Sequence, residues 1–225
     1  MPFAKRHEEI IKKTTIPSPL KMWLNIIVLS VLMFIGGAFY LFSRGGVFDL
    51  YTANKVLAAE AFAFVGLSLA LSGLVYFWDF ADTKIIYRKF LGLFGFGLAA
   101  LHAITALFLL PERLGFKEIG EHKISIAFGL AALLILAIMA AISNRYFFYE
   151  LGSRRWRFLM RFGYLAFIFA LIHFSALKYK EWTEWFDSLD PALPPLSLLA
   201  ALFGMGVVIL RFALLLSIRK KKRGL

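Results

Sequence analysis

Two histidines within long apolar runs are the residues of this sequence best suited to chemistry. His102 lies in LGLFGFGLAALHAITALFLL, and His173 lies in GYLAFIFALIHFSALKY. An ionisable side chain so deep in an apolar helix is costly and normally has a partner in the protein interior. Imidazole nitrogens bind transition metals, so the pair is a candidate metal-binding site. The alternative is that each imidazole only hydrogen-bonds a neighbouring helix.

The two histidines are predicted to lie at one level of a helical bundle. His102 is 14 residues after Arg88, and His173 is 16 residues after Arg157. At a rise of 1.5 Å per residue, both lie about 21–24 Å from the boundary that those arginines mark. Their helices are the third and fifth of six, and two crossings separate them, so both run in the same direction. The two side chains can therefore face each other.

Small residues precede both histidines at the same three offsets, namely 3, 7 and 10 positions earlier. They are Ala99, Gly95 and Gly92 before His102, and Ala170, Ala166 and Gly163 before His173. Residues at these offsets share one face of a helix. Small side chains permit close helix packing, but they also make room for a flat macrocycle. Paired imidazoles with small residues beside them suit a haem iron that takes one axial ligand from each helix.

A zinc site is the competing metal interpretation. Zinc sites usually have three or four protein ligands, and here only Glu60, in the second apolar run, is available to join the two histidines. The sequence has no cysteine, which excludes thiolate metal sites, iron–sulfur clusters and disulfides. His7 and His122 lie in a charged tail and at a loop boundary, where we expect both to be solvated.

The elements that must position these residues are transmembrane helices, so the predicted fold class is an all-α, polytopic membrane bundle. Hydrophobic residues make up 60% of the chain and charged residues 18%. The apolar residues form six blocks of about 20, the length of helix that crosses a hydrocarbon core of about 30 Å. The predicted spans are Trp23–Phe42, Val56–Phe77, Phe90–Leu110, Ile124–Ile142, Phe158–Leu177 and Leu196–Ser217. The transmembrane domain is thus residues 22–217, between basic tails at 1–21 and 218–225.

Positive charge is distributed unevenly across these spans. Nineteen of the 26 lysines and arginines lie in the tails and in the second and fourth connections, and seven lie on the other side. The positive-inside rule then predicts a multi-pass protein of the plasma (inner) membrane with both termini in the cytoplasm, which places the two histidines in the outer half. This topology accounts for the net charge of +12, so we expect no nucleic-acid partner. The acidic stretch EWTEWFDSLDPALPP is predicted to be a solvated outer loop.

Two stretches resemble a known family. YRKFLGLFGFGLAALHAITAL resembles the third helix of the ferric reductase-like transmembrane family. ELGSRRWRFLMRFGYLAFIFALIHFSALKY resembles the fourth loop and fifth helix of its bacterial members, particularly the haem-binding membrane subunit of the periplasmic methionine sulfoxide reductase system. The resemblance covers roughly residues 54–180. It implies b-type haem held between the third and fifth helices, and one-electron transfer across the membrane.

The resemblance also implies roles for single residues. His102 and His173 match the ligands of the haem nearer the outer face, and Arg88 matches an inner-side position where bacterial members often carry arginine. The chain departs from the family at Met160, which stands where the fifth helix has a second histidine 13 residues before His173. A thioether can ligate haem iron, but a methionine that fills space between helices is favoured. We therefore expect one haem and leave a second one open.

These expectations combine into a transmembrane electron-transfer protein, an oxidoreductase or the membrane subunit of one. The sequence has no P-loop or dinucleotide-binding motif, so a separate flavin reductase or membrane quinol would supply the electrons. The acceptor at the outer face would be ferric iron or a partner reductase. At the inner face, Arg88, Lys89, Arg155 and Arg157 either serve topology, which is favoured, or bind haem propionates or a flavin phosphate.

The alternative from another class is a transporter or structural membrane protein without a cofactor. In that case Glu60, Ser68 and Ser72 would line a pathway along the second helix. The sequence shows no internal repeat and no short, broken helices near the midplane, which are the features that many transporters carry. A red colour of the purified protein would distinguish a haem protein from this alternative.

Overall fold

The computed structural model describes residues 17–110, 122–188 and 193–222, and these residues form an all-helical bundle. Its helices are α1 (Pro19–Gly45), α2 (Leu50–Phe77), α3 (Arg88–Ile104), α4 (Lys123–Ile142), α5 (Arg145–Leu159), α6 (Phe162–Asp187) and α7 (Leu196–Lys222). A 3₁₀ segment (Asp79–Tyr87) joins α2 to α3, and a π-helical turn (Thr105–Leu109) continues α3. Six helical stretches of the described chain are long and apolar enough to cross a membrane. The predicted fold class is confirmed.

Local capping residues set several helix ends outside the apolar runs. Ser18 Oγ accepts a hydrogen bond from the Lys21 N–H at 3.3 Å, and Pro19 occupies the first position of α1. Asp49 caps α2 by accepting from the Thr52 N–H at 2.7 Å. Gly46 ends α1 with a φ of 70°, a conformation that glycine adopts without strain. Helices α1 and α2 are therefore longer than the spans Trp23–Phe42 and Val56–Phe77 predicted from hydropathy alone.

Helix α2 is the centre of the bundle. Sixty-seven per cent of its most apolar stretch is buried, against at most 22% for the other spans. It packs closely on α3 and α7, and it also contacts α1 and α6. The Phe62 ring of α2 stacks on Phe167 of α6 at a centroid distance of 4.3 Å. The remaining helices expose large apolar side chains such as Leu32 and Phe39, the surface that a bilayer covers.

Two segments predicted as connections are helical. Residues 181–187 continue α6, so the predicted solvated loop is wrong there, while residues 189–192 lie outside the described residues. The end of α6 is attached to the end of α1 by an ion pair between Arg44 and Glu181 at 2.6 Å. The fourth connection forms α5, in which no residue is buried and Gly152 interrupts the helix with a φ of 69°. Because α5 ends at Leu159, the fifth spanning helix begins at Phe162 rather than at Phe158.

Candidate functional site

His102 projects from α3 towards the start of α2, where Asn54 holds its ring. The Nδ1 atom lies 3.2 Å from the Asn54 carbonyl oxygen and 3.0 Å from Asn54 Oδ1. A backbone carbonyl can only accept a hydrogen bond, so His102 Nδ1 carries the proton and donates it. The lone pair of a neutral ring then resides on Nε2. Asn54 is only 5% exposed, which fixes this contact inside the bundle.

His173 is held in the same way by a different neighbour, the start of α4. Its Nδ1 lies 2.8 Å from the Ser125 carbonyl oxygen, which it contacts as a donor. The Ser125 hydroxyl in turn donates to the His173 carbonyl oxygen at 2.6 Å. Gly129, one turn further along α4, packs directly against the ring, because a Cβ there would lie 2.8 Å from Nδ1 and 3.0 Å from Cε1. Glycine at 129 therefore makes the space that the imidazole occupies.

The two imidazoles share an arrangement typical of metal-ligating histidines. Each donates Nδ1–H to a backbone carbonyl, which fixes the tautomer and the ring orientation. Within the described part of the chain, the hydrogen bonds of both rings are made through Nδ1 and leave Nε2 free, and both residues are half-buried. Two neutral imidazoles with free Nε2 atoms are the donor set that a bis-histidine haem iron requires. The residues present therefore fit the group that the sequence predicts.

The two helices that carry the histidines each pack mainly on a different neighbour. The two imidazoles are close enough to interact electrostatically. Nevertheless, α3 packs chiefly on α2, and α6 packs chiefly on α4. In the part of the chain that the structure describes, α3 and α6 are not a closely packed pair. The two histidines thus belong to neighbouring helix pairs rather than to one tight helix–helix contact.

The other predicted ligands do not gather around this pair. In the described ranges, no three histidine, aspartate or glutamate side chains form a group that could hold a metal ion. Glu60 is 3% exposed and interacts with Ser30 of α1, and its buried Oε1 has no hydrogen-bond partner among the described residues. His122 lies at the start of α4, and His7 lies outside the described residues. The third ligand that a zinc site would need is thus not found among these residues.

The predicted small residues face neighbouring helices. At Gly95 a Cβ would lie 2.9 Å from the backbone nitrogen of Val65, so this glycine lets α3 approach α2. Gly92 faces the Ser68 hydroxyl, and Gly163 faces Met139 of α4, whose Cε would lie 2.9 Å from an added Cβ. Close helix packing, the explanation left open from sequence, accounts for all three contacts. Their assignment as cofactor contacts stays a prediction.

A cavity of about 560 Å³ lies at the opposite end of α3 from His102, and we call it the basic pocket. Its lining includes Gly92, Gly163 and Met160, and six cationic side chains: Arg88, Lys89, Arg145, Arg157, Arg161 and Arg211. Arg88 is anchored by its carbonyl oxygen, which accepts from Ser68 Oγ at 2.7 Å. Since 14 residues of helix separate Arg88 from His102, this pocket and the histidine pair lie about 20 Å apart along the bundle.

The polar residues of the alternative pathway along α2 do not share one cavity. Ser68 and Ser72 line the basic pocket, whereas Glu60 is not among its lining residues. Arg155 of α5 is exposed and also lies outside the lining of the basic pocket. The structure therefore keeps the histidines as a separate pair and brings six other sequence-predicted residues together in the basic pocket: Arg88, Lys89, Gly92, Arg157, Met160 and Gly163.

Comparison with known proteins matches a family model, the ferric reductase like transmembrane component, to residues 58–171, just over half of the chain. The chain belongs to this family. No curated protein matches the chain. The matched range lies within the 54–180 predicted from resemblance; it contains His102 and ends two residues before His173. Membership supports a membrane electron-transfer role for this ferric reductase-like protein.

Sequence analysis missed the residues that hold the two rings of this ferric reductase-like protein. Asn54 lies before the predicted second span, and Ser125 and Gly129 lie inside the fourth, where neither stands out from its neighbours. A single signal was available: Asn54 and Ser125 are polar residues near the starts of helices, each 48 positions before the histidine that it contacts. That spacing acquires meaning only once it is known which helices pair.

Proposed function

We propose that the protein is a transmembrane b-type haem electron-transfer protein, in which His102 and His173 would hold the haem iron through Nε2. The observation that carries the proposal is the matched anchoring of the two rings, each by Nδ1–H to a backbone carbonyl. Haem supplies reversible one-electron chemistry when it is bound. Asn54 and Ser125 orient the imidazoles and raise their basicity as ligands, and the apolar helices around them limit the access of water.

The orientation that we propose for the chain in the membrane rests on its charge distribution. The basic pocket lies at the end of the bundle that the positive-inside rule assigns to the cytoplasm, so the histidine pair would lie towards the outer face. We propose that both termini are cytoplasmic, in the inner membrane. A flavin reductase or quinol would donate, and ferric iron or a partner reductase outside would accept. The relation to the membrane subunit of the periplasmic methionine sulfoxide reductase system belongs to this proposal, on the residues quoted above.

One haem per chain is the proposed stoichiometry. A second haem nearer the basic pocket would need ligands at the level of Arg88 and Met160. Arginine stays protonated and is a poor iron ligand, and among the described residues no histidine lies at the level of Met160 to complete a pair. The chain's own residues at that end therefore favour an anion over a metal ion.

The test is a pyridine haemochrome assay on the purified protein, with protein quantification, together with visible spectra of four variants. His102→Ala and His173→Ala are each expected to abolish the low-spin bis-imidazole spectrum. His122→Ala and His7→Ala are the matched controls and should leave it unchanged. Haem content that survives the loss of both His102 and His173 would refute the assignment. A colourless wild-type protein that binds no added haem would favour the cofactor-free alternative.

A further inference from the structure

The basic pocket gathers like charges without an acidic residue among them. Its six cations come from four parts of the fold: α3, α5, the start of α6, and α7. No aspartate or glutamate is among the described residues that line it. The positive-inside rule explains why positive residues occupy this end of the bundle. It does not require them to converge on one cavity. Converging cations repel one another unless an anion lies between them.

Most of the remaining lining is apolar or aromatic, and its uncharged polar members include Ser68, Ser72, Ser143 and Asn144. Leu69, Leu93, Leu136 and Met139 come from three spanning helices, and Trp156 comes from α5. Trp156 is fixed by a hydrogen bond from its Nε1 to the Ile142 carbonyl oxygen at 3.1 Å. A ligand that fits this cavity therefore combines an anionic group with an apolar body.

Helix α5 indicates the level at which this ligand is found. It has no buried residue, and it combines arginines with exposed aromatic rings such as Tyr146 and Tyr149, the latter 76% exposed. Basic and aromatic side chains on a short helix between two spans are typical of a helix that lies in the headgroup region of a bilayer. Arg145 and Arg157 of α5 line the pocket. The pocket thus opens where lipid phosphates are abundant.

We propose that the basic pocket is a binding site for one anionic phospholipid. Its phosphate lies among Arg88, Arg157 and Arg211, and the first part of an acyl chain lies against the apolar wall. Guanidinium groups bind phosphate oxygens in bidentate fashion, and basic pockets between transmembrane helices on the cytoplasmic side bind anionic headgroups. Arg211 is already oriented by its position over the Tyr164 ring, 4.5 Å from the centroid. This site is independent of the proposed haem function.

The test is retention of lipid by the purified full chain, measured by native mass spectrometry after exchange into vesicles of phosphatidylglycerol or of phosphatidylcholine. Wild-type protein is expected to retain one phosphatidylglycerol and no phosphatidylcholine. Arg157→Gln should lower retention about fivefold, and Arg157→Gln with Arg211→Gln about 25-fold, because each cation near an anionic lipid is worth about a factor of five. Arg155→Gln, two residues away and outside the lining, is the matched control and should retain lipid as the wild type does.

Three results would overturn the proposal: equal retention of both lipids, equal loss in Arg155→Gln and Arg157→Gln, and displacement of the lipid by flavin mononucleotide but not by riboflavin. The last result would mean that the pocket takes a soluble phosphorylated cofactor. Arg211→Lys keeps the positive charge, so this variant should retain most of the lipid that the wild type retains. It therefore distinguishes a loss of charge from a loss of folding. Because none of these measurements uses haem, the proposed electron-transfer function can fail while this site is confirmed, and the reverse.

Discussion

Replacing Gly129 by alanine should disturb the His173 ring without touching any predicted ligand. The added Cβ would lie 2.8 Å from Nδ1 of His173, a separation that real Cβ atoms essentially never show, and 3.0 Å from both Cγ and Cε1. The ring cannot move away without losing its 2.8 Å hydrogen bond to the Ser125 carbonyl. Overpacking of this kind costs about 1–3 kcal/mol. If the strain is relieved when the ring tilts, haem affinity should fall by about 5- to 150-fold.

The assay is titration of the haem-depleted protein with haemin, followed at the low-spin absorption band, with helicity and thermal unfolding measured in parallel. Gly97→Ala is the matched control: it adds the same methyl group on α3, where nothing lies within 4 Å of the new Cβ. If the Gly129→Ala variant binds haem with wild-type affinity and spectrum, His173 is not a haem ligand in the orientation described above. Equal losses in both variants would point to general destabilisation of the bundle.

Three further outcomes follow from the proposed function. In Asn54→Leu, His102 keeps its hydrogen bond to the backbone carbonyl of residue 54, so haem should still bind, but with an affinity about 10- to 100-fold lower. An unchanged affinity and midpoint potential would contradict the orienting role of the Asn54 side chain. Met160→His should raise the haem-to-protein ratio and add a second redox transition, whereas wild-type protein that already titrates as two haems would refute the single-haem model. Reporters fused after Lys13 and after Arg223 should both read cytoplasmic, and a periplasmic signal at either end would refute the topology.

Hydropathy predicted the spans because burial in a bilayer requires about 20 apolar residues in a row. It did not predict the helical parts that lie outside the hydrocarbon. Helix α5 is basic and interrupted at Gly152, and the end of α6 carries Glu181, so neither resembles a span. Both segments are helical because a helix can also carry charged residues when they face the membrane–water interface or form ion pairs. Glu181 forms such a pair with Arg44.

The candidate site was predictable in part. Depth along the helix placed His102 and His173 at one level from residue counts alone, and the structure brings the two rings into electrostatic reach. The partners of each ring were not predictable, because Asn54 and Ser125 contact them across helix pairs that a single sequence does not reveal. For the same reason the glycine pattern did not distinguish cofactor contact from helix packing. Gly95 lies on the same face of α3 as His102, yet it packs against Val65 of α2.

Each histidine is anchored within its own half of the chain, and this has a consequence for assembly. Asn54 and His102 sit on α2 and α3, whereas Ser125 and His173 sit on α4 and α6. Each half can orient its imidazole as soon as its own helices have paired in the bilayer. A ligand bound by both Nε2 atoms would then act as a crosslink between two preassembled halves, and its binding free energy would add to the stability of the whole bundle. Loss of the ligand should accordingly loosen the contact between the halves before it unfolds either one.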